Sequence, residues 1–95
     1  MLTHIVLIRL KDRRPESIAD TRAQLLSLAH GIETLRELEV GTDITHSERS
    51  YDLALITRFD DRAGFEIYRQ HPMHVPVLAH MAEAAESTVA VDYED

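Results

Sequence analysis

Apolar residues fall in short runs whose period switches between two and about 3.6, and the switches mark out the elements. Residues 2–10, Leu-Thr-His-Ile-Val-Leu-Ile-Arg-Leu, read as a strand. Leu2, His4, Val6, Ile8 and Leu10 point to one side, and Thr3, Ile5, Leu7 and Arg9 to the other. Both sides are apolar at the centre, so both are expected to be covered. After a charged turn at Lys11–Arg14, Pro15 suits a first helical position. Ile18, Leu25, Leu28 and Ile32 then recur at spacings of seven, three and four, which predicts an amphipathic helix over 16–30 stopped at Gly31.

A second strand is expected over 35–46. Leu38, Val40, Thr42 and Ile44 lie on one side, Glu37, Glu39 and Asp43 on the other, and Gly41 marks a possible bulge. A polar turn at Ser47–Ser50 leads to a third strand over 51–59, again apolar on both faces. Asp60-Asp61 is a helix-start signal for a second helix over about 61–70. Pro72 forces a kink. A third helix follows from His74 or Val75, with Val75, Leu78, Ala82 and Ala85 as its buried stripe, and a last strand spans 87–93.

Strand, helix, strand, strand, broken helix, strand is the βαββαβ order of an α+β, ferredoxin-like fold with a four-stranded antiparallel sheet. Helices cover one face of such a sheet, and no segment remains to cover the other. A second copy is the simplest cover, which predicts a homodimer closed as a dimeric α+β barrel. The 95 residues form a single domain, 1–95, with a thin core that favours self-association.

Composition narrows the function. A net charge of −7 repels phosphate backbones and argues against nucleic-acid binding. No apolar run approaches the roughly 20 residues that span a bilayer, and no basic leader precedes the first apolar run, so neither a membrane partner nor secretion is expected. The absence of cysteine excludes thiolate chemistry and fits a cytoplasmic protein. Three glycines make no phosphate-binding pattern, and no cofactor is expected.

The chemistry concentrates in residues 68–81, which hold three of the six histidines and two of the three prolines. Histidine titrates near neutrality and serves as a proton acceptor or metal ligand. His71 and His74 are three apart, but Pro72 between them and the lack of a nearby acid argue against a metal site. His71 reads as a cap on the second helix and is kept as a ligand-contact candidate. Tyr68 precedes the kink and His74 follows it, so the two converge across it. A tyrosine hydroxyl donating to a carbonyl beside a neutral imidazole is a workable pair for enolisation or aldol chemistry. His4 enters the site only if its strand face borders a pocket. His30, His46 and His80 are read as structural, with His80 on an exposed helical face.

Three stretches carry a family resemblance: Thr3-His4-Ile5-Val6-Leu7, Tyr51-Asp52-Leu53-Ala54-Leu55 running into Phe59, and Tyr68-Arg69-Gln70-His71-Pro72-Met73-His74-Val75. In these the chain resembles the stress-responsive A/B barrel (Dabb) family from nearly end to end. The resemblance implies a homodimer enclosing a central barrel. One plant member, a polyketide cyclase, closes its substrate by intramolecular aldol condensation without a cofactor. Its catalytic histidine and tyrosine match His74 and Tyr68, and its first-strand histidine matches His4. Leu53 stands where it carries a further pocket histidine, which removes one polar pocket group and argues against the same substrate. The expectation is a small-molecule pocket with His74 and Tyr68 catalytic and His4, Leu53 and His71 around the ligand. A non-catalytic, stress-responsive binding protein is the alternative.

Overall fold

The computed structural model describes all 95 residues. Its elements are β1 (Leu2–Leu10), α1 (Pro15–Leu26) tightening into a 3₁₀ turn (Ser27–Ala29), β2 (Leu35–Thr42), β3 (Leu53–Phe59), α2 (Arg62–Gln70), α3 (His74–Ala84) and β4 (Ala85–Glu94). The strands form one antiparallel sheet in the order β2-β3-β1-β4, the expected ferredoxin-like topology. No helix is long and apolar enough to cross a membrane.

Alternation along β1 and β3 divides the sheet. Leu2, Ile8, Leu10, Leu53, Leu55 and Phe59 pack against Ile18, Leu25 and Leu28 of the α1 segment and against Phe65, Tyr68 and Val77 of α2 and α3. The opposite face carries Ile5 across from Ile56 and Val91, and Leu7 across from Ala54 and Val89. No helix covers it, and Val91 is left 62 % exposed.

Local chemistry sets the ends of the elements. Asp61 caps α2 by accepting the Gly64 N–H at 2.9 Å. Gly31 sits at φ +97°, and a side chain there would collide with Met73 Sδ, so the kink between α2 and α3 docks directly on the backbone beyond α1. Buried Asp52 accepts the Leu10 N–H and the Arg13 Nε–H, both at 2.9 Å, and ties the exit of β1 to the entry of β3.

Four expectations need correction. β2 stops at Thr42, because the Asp43 carboxylate accepts the His46 N–H at 2.7 Å and the Thr45 hydroxyl at 3.2 Å. That side-chain turn outcompetes the ladder and leaves Ile44 87 % exposed. The irregular register in β2 lies between Leu35 and Glu37, not at Gly41, whose surroundings are open. The inward stripe of α3 is Val77, Met81 and Ala84, out of phase with the expected Val75, Leu78 and Ala82, while Ala85, just past the helix, packs against the core as expected. Apolar residues occupy both sides of this helix, so its pattern admits two phases. The bond from the Lys11 N–H to the Ala84 carbonyl (2.9 Å) pins the end of the helix in the observed one. The same rotation brings His80 inward, where its Nε2 meets Thr21 Oγ1 at 3.1 Å, so His80 is a tie between α1 and α3 rather than an exposed residue.

Candidate functional site

Tyr68 lies on the last turn of α2, and its neighbours pack it wholly out of solvent. Its hydroxyl has no hydrogen-bond partner. An unpaired buried hydroxyl costs about 1–3 kcal/mol, so this position is held at the expense of stability. Burial pushes the phenol up to about 12, and it stays protonated and able to donate.

Pro72 breaks the helix, and His74 opens the next one with its ring centroid 4.4 Å from that of Tyr68. His74 Nδ1 lies 3.2 Å from the Arg69 carbonyl oxygen. A carbonyl only accepts, so Nδ1 carries the proton and Nε2 keeps its lone pair. Burial, together with the nearby His4, lowers the His74 pKa, which favours the neutral ring.

His4 reaches the same place from β1. Its ring centroid is 4.9 Å from Phe65 and 6.3 Å from Tyr68. On the neighbouring strand Asp92 is directly opposite, and its carboxylate bonds His4 Nδ1. These rings border a cavity of about 260 Å³ between α2, α3 and the β1–β4 side of the sheet. His4, Tyr68, His74 and Arg69 supply its polar groups; Val6, Leu25, Leu55, Val77, Leu78 and Met81 supply apolar wall, and the small Thr88 and Ala90 leave room on the β4 side. Leu78, expected in the core, is instead a half-exposed wall of this cavity.

Three of the five expected site residues therefore meet, and two lie elsewhere. Leu53 is buried in the core outside this cavity, whose β3 wall is Leu55, two residues further on. His71 ends α2, where its Nδ1 accepts the Met73 N–H at 3.1 Å and its Nε2 lies 3.9 Å from Glu33. Sequence reasoning missed Asp92 and Arg69. Asp92 is the one acid within the stretch 87–93 expected as the last strand, and pairing that strand with β1 in register would have set it against His4. No group of three His, Asp or Glu side chains is placed to hold a metal ion.

Residues 2–95 match the family described as Stress responsive A/B Barrel Domain. The chain is a Dabb protein. It is 33 % identical over 98 residues to an uncharacterised protein of Streptomyces coelicolor, covering 99 % of each chain. A dimeric ferredoxin-like protein of unknown function from Bacteroides fragilis shares 31 % identity, with a TM-score of 0.84 over 99 % of this chain and 95 % of that one. Hydroxynitrile lyase from Passiflora edulis shares the fold at 22 % identity, with a TM-score of 0.83 over 97 % and 90 % of the two chains. The Dabb fold thus occurs both in proteins without an assigned reaction and in an enzyme.

Proposed function

We propose that this Dabb protein is a cytoplasmic homodimer that binds a small, apolar, carbonyl-bearing molecule and acts on it as a cofactor-independent, polyketide cyclase-like lyase. The observation that carries the reading is Tyr68, whose hydroxyl is buried and unpaired, beside a His74 that burial holds toward its neutral form, both residues lining one apolar cavity. A ligand carbonyl is the acceptor the hydroxyl lacks. Once polarised, its neighbouring C–H group becomes acidic enough for His74 Nε2 to take the proton. The apolar wall selects the remainder of the ligand and strengthens these polar contacts by keeping water out.

Dimerisation is supported by the uncovered apolar sheet face and by the dimeric relative. The test of the chemistry is turnover of a linear diketone by purified protein, followed by chromatography with and without oxygen. The reading requires product in both conditions, and a His74→Ala protein that stays folded but forms none. Diketone held in the cavity and recovered unchanged would instead identify a non-catalytic, stress-responsive binding protein.

A further inference from the structure

Two histidines line the cavity, and they are not equivalent. His74 is tied through Nδ1 to a backbone carbonyl, a neutral dipole whose pull toward the charged ring is outweighed by burial. His4 is tied through Nδ1 to the Asp92 carboxylate. A positive charge gained at His4 Nε2 is answered by a negative one across the ring, which strengthens the bond between the two side chains. The other charged groups nearby do not duplicate this partner: Arg69 on the cavity wall pairs with Glu66 at 3.2 Å, and β3 contributes only the apolar Leu55. Asp92 itself borders a neighbouring groove and does not line the cavity.

We propose that His4, held by Asp92, is the acid of the site, a second proton-transfer group working opposite His74, with Asp92 as its positioning residue. The assignment rests on the enolisation reading and extends it to a dicarbonyl substrate. His74 Nε2 takes a proton from the carbon beside the first carbonyl. The C–H electron pair passes into an enolate whose oxygen accepts the Tyr68 hydrogen bond. The enolate carbon forms a C–C bond to the second carbonyl of the same molecule, the C=O π pair moves onto that oxygen, and the oxygen takes the Nε2 proton of a doubly protonated His4, leaving the neutral Nδ1–H ring on Asp92. His74 then loses its proton to solvent and His4 regains one, so the protein is restored and the substrate has undergone an intramolecular aldol addition. The small Thr88 and Ala90, on the same strand as Asp92, leave the room that a second carbonyl needs beside His4.

The test compares wild type with Asp92→Asn, Asp92→Glu and His4→Gln, using a linear diketone as probe and nitrogen-15 NMR of the imidazoles as a second readout. Asp92→Asn keeps the shape and a hydrogen-bond acceptor but removes the charge. The expected result is a kcat at least about tenfold lower with KM changed less than about twofold, partial recovery in Asp92→Glu, and a loss in His4→Gln of about a hundredfold. The spectra should show His4 protonated at both ring nitrogens in wild type and less of that form in Asp92→Asn. Turnover by wild type that is unaffected in Asp92→Asn and His4→Gln would overturn the inference and leave the enolisation reading standing. Absence of turnover by wild type would remove that reading, and this assignment with it.

Discussion

The rings of Tyr68 and His74 lie 4.4 Å apart across a helix break imposed by Pro72. Neither an unbroken helix nor a long loop would hold two side chains six residues apart in this way. The break lets His74 start a new helix whose first turn points back at the last turn of the old one, and the Arg69 carbonyl between them fixes the imidazole. The kink is a device for positioning, and its cost is an unpaired hydroxyl.

That cost can be measured. Tyr68→Phe removes the orphaned oxygen and keeps the buried ring. Stability to urea should be unchanged or higher by up to about 1 kcal/mol, while turnover falls at least about a hundredfold. A functional group kept at the expense of stability behaves this way; a packing residue does not.

His74 gives a pH signature. Its folded-state pKa is depressed by burial below the ordinary 6.5, so between the two values the unfolded chain binds a proton that the folded protein does not. Its contribution to stability is therefore fully present above about 6.5 and is lost as pH falls through the depressed folded value. Thermal unfolding at pH 7.5 and pH 5 should show a larger fall in Tm for wild type than for His74→Gln.

Asp52 is a structural counterpart, since its carboxylate serves Leu10 and Arg13 at a junction of three segments. Asp52→Ala strands a buried N–H and releases Arg13, which should cost about 2–4 kcal/mol in urea titration. Asp52→Asn, which can still accept from Leu10, should cost less.

On the open face, Val91 stands opposite Ile5 and is 62 % exposed in the single chain. Val91→Asp should be tolerated by the monomer fold but should break association, because a charge would be buried without a partner. Light scattering at micromolar concentration should give a dimer for wild type and a monomer for the variant.

Element order, the capping of α2 by Asp61, the break at Pro72 and the two-faced apolar pattern of β1 were legible in the sequence, because each follows from local rules of spacing and backbone geometry. The phase of α3 was not legible, since valine, leucine, methionine and alanine occupy both of its sides. Nor was the end of β2, where Asp43 bonds the backbone ahead of it. In the site, Tyr68 and His74 could be read from one motif. Asp92 could not, as it lies 88 residues from His4 and meets it only through the β1–β4 register. Leu53 and Leu55 show how fine the distinction is, with two strand neighbours of like chemistry and the cavity wall formed by the second.

A crystal structure with a linear diketone bound tests the central claim most directly. The account predicts one carbonyl oxygen within about 2.6–3.2 Å of the Tyr68 hydroxyl and the adjacent carbon within reach of His74 Nε2. A diketone lying with both carbonyls away from Tyr68 and His74, or a cavity that stays empty at saturating diketone, would contradict it.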